Sequence, residues 1–350
     1  MIICYLLEST NLAGGVRVAF DQARLLTLKG HKVIIRAKSG NHHWYHHPID
    51  IDYVNDLASP FLPNTPSPDI VIATFWTTVH AATQLGCRNV FHFCQGYEGD
   101  IPEYAGIRQR IEQAYRLPIP KLTVGNWLTK RLQQIYNAPD FTVHTIGQIV
   151  DTALFKPPKF VMFSRVLRRL LRRPVKILLI GMFESSVKGI PDALQAIKLV
   201  RNQNIKLHVT RVSSHPLSEQ EKTITPINHY LTQLPPQTIA RLYRQHDLMI
   251  APSHIAEGFG LPFAEALASG LPCIATAIPS HMSFDNTHDY AAFVPPSNSQ
   301  VMAQALLELL NNPDQQAFLR QRGPQLMQTV FSQNAAIERL EQLCQKSLNH

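Results

Sequence analysis

The sequence predicts an α/β protein built from two doubly wound domains, and three observations support this prediction. The chain has 350 residues, which is too long for one ordinary hydrophobic core and suits two domains of about 150 residues each. Strand-like and helix-like segments alternate along it, as in repeated βαβ units. A second strand-rich start, at Val175–Gly181, follows a stretch bracketed by prolines, and the same alternation then resumes.

The first domain is predicted over residues 1–155. Met1–Leu7 has the continuous apolar character of a buried parallel strand, and Gly14-Gly15-Val16 opens an amphipathic helix that stops at Gly30. The other predicted strands of this domain are His31–Ala37, Ile70–Thr74, Asn89–Cys94 and Lys121–Val124. The helices predicted between and after them are Thr77–Leu85, Glu103–Arg116 and Asn126–Tyr136.

The second domain is predicted over residues 175–330, after a basic linker or insert at residues 156–174. Its predicted strands are Val175–Gly181, Lys206–Arg211, Asp247–Ala251 and Pro272–Thr276. A last helix within residues 331–350 is expected to pack back on the first domain.

The composition favours a folded cytoplasmic protein. Hydrophobic residues make up 45% and charged residues 17% of the chain, as in packed globular domains. The apolar start lacks the basic flank and cleavage site of a signal peptide, and no apolar run approaches the roughly 18 residues of a membrane span. The five cysteines include no C-x-x-C pair, so reduced core residues are expected rather than metal ligands.

The net charge of +8 is concentrated in one window. Seven basic residues and no acids lie there, so the rest of the chain carries 8 − 7 = +1, and we expect no nucleic-acid partner. They are Lys159, Arg165, Arg168, Arg169, Arg172, Arg173 and Lys176. Read as a helix, residues 161–173 are basic and amphipathic. Two main interpretations stay open, packing between domains or peripheral contact with the inner face of an anionic membrane, and contact with another macromolecule is a third.

The segment from Ala251 to Ala275 carries the chemistry. It reads as strand, loop, helix, turn and strand, with Pro262 suited to the first helical turn and Gly270 to the helix end. Gly258 and Gly260 let the loop approach a ligand closely, and free amides at the helix start can bind diphosphate oxygens. Glu257 lies before the helix and Glu265 is expected in its first turn. Both are suited to accept hydrogen bonds from sugar hydroxyls.

This Glu-x7-Glu pattern, within Glu-Gly-Phe-Gly-Leu-Pro-Phe-Ala-Glu-Ala, resembles the donor-site signature of glycosyltransferase family 4. Further similarities to that family are Gly14-Gly15-Val16, Gly147 to Phe155, Lys188-Gly189, and Leu242-Tyr243 to Asp247 leading into Pro252-Ser253. The resemblance implies a GT-B fold of two Rossmann-like domains facing an interdomain cleft. It also implies transfer of a sugar from a nucleotide donor with retention of anomeric configuration, without a metal or other cofactor.

The resemblance also implies roles for individual residues. Glu265 would hold the ribose hydroxyls, Glu257 the donor sugar, and Lys188 the leaving diphosphate. The donor site would be completed by Gly15, by Gly258, and by the amides of Phe259, Gly260 and Leu261. The donor would be a UDP-, GDP-, ADP- or dTDP-sugar, and the acceptor a saccharide, a lipid-linked molecule or a small molecule.

The sequence departs from the family pattern in two places. Members of the family commonly have an arginine where this chain has Met182, so we expect either Lys188 alone or Arg211 to supply the positive charge. On the acceptor side the chain reads Phe-His92-Phe-Cys-Gln95-Gly-Tyr97-Glu98. This pattern resembles a bacterial subgroup that includes rhamnosyltransferases. His92 is a catalytic candidate or else a core residue, and Gln95, Tyr97 and Glu98 are candidates for acceptor contacts.

Other functions stay open at this stage. A nucleotide-sugar epimerase or a phosphorylase uses the same fold, and Met182 makes a non-catalytic nucleotide-sugar-binding subunit conceivable. The cluster His42-His43-x-x-His46-His47 lacks a distant second ligand pair, which disfavours a zinc site. An NAD-dependent dehydrogenase is disfavoured because no G-x-G-x-x-G follows either first strand.

Overall fold

The computed structural model describes residues 1–62, 66–138, 141–158, 173–331 and 333–349. The chain divides into two compact units, Met1–Ile149 with Gln333–His350, and Val150–Ser332. The predicted basic helix at residues 161–173 lies, except for its last residue, outside the described residues.

The first unit is built on a parallel sheet with strand order β3-β2-β1-β4-β5-β6-β7. Its central strands are continuous runs of buried apolar residues, as expected where helices cover both faces of a sheet. The strands are β1 (Ile2–Ser9), β2 (Lys32–Ser39), β3 (Asp50–Tyr53), β4 (Ile70–Ala73), β5 (Asn89–Cys94), β6 (Lys121–Thr123) and β7 (Val143–Thr145).

Helices connect these strands as crossovers. Along the first helix, Val18, Ala19, Gln22, Ala23 and Leu26 are buried on one face, which follows the 3.6-residue period. The helices are α1 (Gly14–Leu28), α2 (Trp76–Gln84), α3 (Arg108–Arg116) and α4 (Asn126–Ile135). Two short 3₁₀ turns, Glu98–Asp100 and Pro102–Ile107, lead from β5 into α3.

The second unit repeats this architecture with the strand order β10-β9-β8-β11-β12-β13, again all parallel. Its strands are β8 (Val175–Ile180), β9 (Leu207–Ser213), β10 (His229–Thr232), β11 (Leu248–Ala251), β12 (Cys273–Thr276) and β13 (Ala292–Val294). Its helices are α5 (Ile190–Arg201), α6 (Glu219–Ile224), α7 (Pro236–Gln245), α8 (Leu261–Ala268), α9 (Pro279–Met282), α10 (Ser299–Asn311) and α11 (Pro313–Val330). Ile177, Leu179, Ile197 and Leu306 are fully buried where α5 and α10 pack on the sheet.

The C-terminal helix α12 (Gln333–Leu348) belongs to the first unit. Its Glu341 carboxylate accepts a hydrogen bond from Lys29 Nζ at 2.7 Å and lies 2.8 Å from His31 Nε2. Within the described part of the chain, no helix is both long enough and apolar enough to cross a membrane.

Each unit has a parallel sheet whose strands are mostly joined by helices, so both units are Rossmann-like. The predicted pair of doubly wound domains is confirmed.

Candidate functional site

The candidate donor residues follow two adjacent strands of the second unit. From β8 the chain adds β9 and β10 on one side of the sheet and then β11 to β13 on the other, so β8 and β11 are the adjacent strands at which the winding reverses. Loops at the carboxyl ends of two such strands form a crevice, which is where open α/β sheets bind ligands. The loop after β8 carries Lys188 and the loop after β11 carries Glu257.

Lys188 and Glu257 form an ion pair at this crevice. Lys188 Nζ donates a hydrogen bond to Glu257 Oε2 at 2.7 Å, and Ser253 Oγ donates to the same oxygen at 2.9 Å. The Glu257 side chain is 9% exposed and the Lys188 side chain 29% exposed. The lysine side chain is therefore partly accessible, while the glutamate side chain is nearly buried.

The pKa of Glu257 is lowered from its ordinary value. Burial acts to raise this pKa, but the Lys188 ammonium, an electrostatic interaction with His281 and the Ser253 hydrogen bond together outweigh it. Glu257 is consequently ionised at neutral pH and acts only as a hydrogen-bond acceptor.

The backbone holds the two loops together. Gly189 has φ +57°, and a Cβ there would lie 2.0 Å from the carbonyl oxygen of Pro252, so only glycine fits. The His254 amide donates to Val187 O at 2.7 Å. The His254 ring also lies 2.8 Å from the carboxylate of Asp192, at the start of α5.

The start of α8 presents free backbone amides. Within the described residues, the amides of Gly258, Phe259, Gly260 and Leu261 donate to no backbone carbonyl. Pro262 lies in the first turn, and Gly270 follows the helix with φ +66°, as predicted. Such an N-terminus attracts anions because its amides point outward and the helix dipole is positive there.

Glu265 lies one turn further into α8 than predicted. Because the helix begins at Leu261, its first turn holds no acidic residue and Glu265 is in the second turn. Its side chain is buried, and Tyr243 Oη donates a hydrogen bond to Glu265 Oε2 at 3.0 Å.

Arg211 is a structural residue in this fold. Its guanidinium is fully buried, donates to Glu221 Oε1 at 2.5 Å, and also donates to the carbonyl oxygens of Leu179 and Gly181. The prediction that Arg211 contacts the diphosphate therefore lacks geometric support, because no guanidinium atom is accessible. Met182 is half-buried at the place where the resemblance implies an arginine.

In the first unit, Gly15 and Gln95 are in contact. Gln95 Nε2 donates to Gly15 O at 3.0 Å, and a Cβ at position 15 would lie 2.9 Å from Gln95 Nε2. Gly15 follows β1 and Gln95 follows β5, and the strand order of this sheet reverses between β1 and β4. Both residues thus lie at the carboxyl ends of strands near the reversal.

His92 is a core residue in this structure. Its ring is 0% exposed and packs edge-on against Tyr115 with centroids 4.6 Å apart. Burial, with a smaller contribution from the nearby Lys121, lowers its pKa to about 3, so the ring is neutral. The prediction that His92 acts on a ligand has no geometric support, because no atom of the ring reaches the surface.

Tyr97 and Glu98 belong to a buried network of phenols. Tyr97 Oη is 2.8 Å from Tyr136 Oη, and Tyr115 Oη donates to Glu98 Oε2 at 2.6 Å. Burial raises the pKa of Glu98 to about 7. The pairing of Glu98 with Tyr115 was not predicted, because these residues are 17 positions apart and nothing in the local pattern links them.

The first unit contains the histidine-rich segment His42-His43-x-x-His46-His47. In the ranges that the structure describes, no three His, Cys, Asp or Glu side chains are placed to hold a metal ion. In the predicted histidine cluster, the His42 Nδ1 atom lies 3.0 Å from Tyr53 Oη instead.

Sequence comparisons connect the second unit with a known family. Residues 174–312 match the family described as glycosyl transferases group 1. A similar relative is MMP alpha-(1->4)-mannosyltransferase of Mycolicibacterium hassiacum, 29% identical over 54% of this chain and 45% of the relative. Another is D-inositol 3-phosphate glycosyltransferase of Corynebacterium aurimucosum, 27% identical over 61% of this chain and 54% of the relative. The chain thus spans about half the length of these two relatives.

Solved structures share the whole fold. A glycosyltransferase from Rickettsia africae superposes with a TM-score of 0.76 and 18% identity, covering 100% of this chain and 99% of that one. Anabaena Alr3699/HepE, in complex with UDP and glucose, superposes with a TM-score of 0.77 and 14% identity, covering 99% and 100%. At these identities the likeness establishes the fold, which is GT-B.

Proposed function

We propose, from the premise that residues 174–312 form a domain of the glycosyl transferases group 1 family, that this protein is a glycosyltransferase. It transfers a sugar, a hexose or deoxyhexose, from a nucleotide-sugar donor to a saccharide, lipid-linked or small-molecule acceptor. The observation that carries the proposal is the ion pair of the partly exposed Lys188 with Glu257, Nζ to Oε2 at 2.7 Å, which joins two neighbouring loops.

The donor diphosphate is bound by Lys188 and by the amides that precede α8. Negative charge develops on the diphosphate as the glycosidic bond breaks, and a preorganised ammonium and oriented amides stabilise that charge. Fixing Lys188 against Glu257 orients the ammonium before the donor arrives, so little reorganisation is needed.

The hydroxyls of the donor are bound by Glu257 and Glu265. Glu257 accepts from the sugar, and its orientation is set by Ser253 and Lys188. Glu265 accepts from the ribose, and its orientation is set by Tyr243. An ionised carboxylate suits this role because it accepts several hydrogen bonds and donates none.

The acceptor is bound by residues of the first unit that follow its strands, with Gln95 as the candidate, and the missing side chain of Gly15 gives the donor diphosphate room beside it. Tyr97 and Glu98 are left out of this proposal because both are bonded within the buried network. In a retaining transfer the acceptor attacks from the face that the leaving group departs from, so no protein nucleophile or metal cofactor is needed. We propose that the reaction takes place in the cytoplasm. When the acceptor is lipid-linked, residues 161–173 contact the membrane.

The donor nucleotide is proposed to be a uridine diphosphate sugar. The structurally similar Anabaena Alr3699/HepE is described in complex with UDP-glucose. GDP-, ADP- and dTDP-sugars remain candidates. The product is a polysaccharide or glycoconjugate, and its identity depends on which acceptor receives the sugar.

A second candidate is a nucleotide-sugar-binding subunit without turnover. It is favoured by Met182, because this thioether stands where the resemblance implies an arginine that shares the diphosphate charge with the lysine. Such a protein binds the donor but does not release free nucleotide in the presence of acceptors, which separates it from the enzyme.

The decisive test is a thermal-shift panel with UDP-glucose, GDP-mannose, ADP-glucose and dTDP-rhamnose. A ligand at 100 times its Kd stabilises the folded state by about 2.7 kcal/mol, which corresponds to roughly 5–10 °C for a domain of this size. We expect one nucleotide class to produce this shift. Lys188→Ala and Glu265→Ala should each weaken donor binding by roughly 10- to 100-fold through loss of charged hydrogen bonds.

The matched controls are Lys222→Ala and Glu219→Ala. These residues form a surface ion pair in the same unit, with Nζ to Oε1 at 2.6 Å and side chains 48% and 87% exposed. They should leave the donor shift unchanged. A wild-type protein that responds to none of the four nucleotide sugars, or site variants that bind like the controls, would refute the assignment.

A further inference from the structure

His281 is a buried histidine with one unused ring nitrogen beside the proposed donor site. It lies in α9, directly after β12, and is 0% exposed. Its Nδ1 atom is 3.2 Å from the carbonyl oxygen of Thr276. A carbonyl only accepts, so Nδ1 carries the proton and Nε2 carries the lone pair of the neutral ring. Among the described residues, Nε2 has no hydrogen-bond partner.

The unused edge of this ring faces Gly260. A Cβ at position 260 would lie 2.6 Å from His281 Nε2 and 2.9 Å from His281 Cδ2. Gly260 is the residue before α8 and has φ +80°, a left-handed conformation that favours glycine. The ring therefore packs directly against the turn that starts the helix.

The ring itself is held from other sides. The Phe263 ring, in α8, packs against it with centroids 4.7 Å apart. Tyr290 Oη donates to the backbone carbonyl of His281 at 2.7 Å. Together with the Thr276 bond, these contacts leave His281 little freedom, so it can act as a rigid support.

We propose that His281 is a positioning residue of the donor site, which holds the left-handed turn at Gly260 and thereby orients the amides of Gly258 to Leu261. This inference rests on the proposed function and adds a residue to it that contacts the loop rather than the ligand. The amides bind an anion well only when they point toward the same position. A loop with two glycines does not hold such a conformation by itself, so it needs a support.

The charge state of His281 suits a support. Burial lowers its pKa to about 4, against an opposing interaction with Glu257, and Lys188 lowers it slightly further. The ring is therefore neutral at pH 7. An imidazolium would instead direct an N–H toward the turn and compete with Lys188 for the Glu257 carboxylate.

The test is a double-mutant cycle with His281→Ala and Gly260→Ala. Alanine at 260 collides with the ring, whereas removing the ring leaves room for the methyl group. The two substitutions should therefore be non-additive in the Kd of the nucleotide sugar that stabilises the wild type. We expect each single variant to bind it about tenfold more weakly, and the double variant to bind about tenfold more tightly than the two losses predict.

The control is His246→Ala, which removes another buried histidine of the same unit. Both of its ring nitrogens have partners, Leu242 O at 2.7 Å and Thr210 Oγ1 at 2.9 Å. This variant should melt earlier but bind the donor normally. Affinity is measured on variants that are folded by circular dichroism. If Gly260→Ala fails to fold, the comparison of His281→Ala with His246→Ala decides.

The outcomes separate this inference from the proposed function. If the wild type binds none of the four nucleotide sugars, both fall together. If the wild type binds one of them, while His281→Ala binds as well as His246→Ala or the cycle is additive, the inference alone is overturned. A rise in donor KM with nearly unchanged kcat in His281→Ala supports a role in donor binding rather than in the chemical step.

Discussion

Glu98 is a carboxyl group whose protonation is coupled to folding. Its side chain accepts a hydrogen bond from Tyr115, and burial raises its pKa from the ordinary 4.5 to about 7. The folded state therefore binds the proton more tightly than the unfolded state. The resulting stabilisation is fully present below about pH 4.5 and is lost as the pH rises through about 7.

Glu98→Gln should remove this pH dependence. The amide resembles the protonated acid and still accepts the Tyr115 hydrogen bond, so it carries no charge into the core at high pH. Relative to this variant, the wild type should lose about 2–3 kcal/mol of unfolding free energy between pH 5 and pH 8. Trp44, Trp76 and Trp127, the three tryptophans, all lie in the first unit, so their fluorescence during urea unfolding reports on it.

The matched control for Glu98 is Glu338→Gln. Glu338 is exposed on α12 in the same unit, so its substitution should leave the difference between pH 5 and pH 8 as in the wild type. Parallel pH profiles for the wild type and Glu98→Gln would show that Glu98 is solvated and that the network is open.

Arg211 and Glu221 form a buried ion pair in the second unit, and both side chains are 0% exposed. Removing one partner leaves an uncompensated buried charge, which costs about 3–5 kcal/mol. We therefore expect Arg211→Met and Glu221→Leu each to lower the melting temperature strongly, and the double variant to recover much of the loss.

This series also decides whether Arg211 touches the donor. The folded Arg211→Met/Glu221→Leu protein should bind the nucleotide sugar with wild-type affinity in the thermal-shift assay. Loss of donor binding in a double variant that melts normally would restore Arg211 as a phosphate ligand.

At the scale of elements, glycines in the connecting loops set the geometry of the site. Gly189 immediately precedes α5 and has a left-handed conformation, and its missing side chain lets the loop after β8 touch the loop after β11 at Pro252. Lys188 precedes this contact and Ser253 follows it. The approach of two backbones therefore brings together side chains that are far apart in the chain.

Gly189→Ala should destabilise the second unit and weaken donor binding. A left-handed alanine alone costs roughly 1–3 kcal/mol, and the Cβ would lie 2.0 Å from Pro252 O, so the loops must separate. Gly86→Ala is the control, because Gly86 has φ +71° with nothing within 4 Å of an added Cβ. Calorimetry should show a clearly larger loss for Gly189→Ala; equal losses would mean that the loops move apart freely.

At the scale of the molecule, sequence patterns revealed the interior of each sheet but not its margins. The predicted strands correspond to the central strands of both sheets, where apolar residues are buried on both faces. The four strands that were not predicted, β3, β7, β10 and β13, lie at the ends of the two strand orders. Each has three or four residues and is only partly buried. A short edge strand forms because its neighbour pairs with it, so its own sequence carries little signal.

The division between local and tertiary information is equally clear at the candidate site. The central strands of both sheets, the glycine turns, and the start and end of α8 followed from short stretches of sequence, because apolar periodicity and the conformations of proline and glycine act locally. The ion pair of Lys188 with Glu257, the burial of His92 and Arg211, and the support of Gly260 by His281 were decided by the tertiary structure. These contacts join residues on different strands and loops, and burial, which sets whether a charged or polar side chain meets a ligand or a neighbour, exists only once the sheets have been covered by their helices.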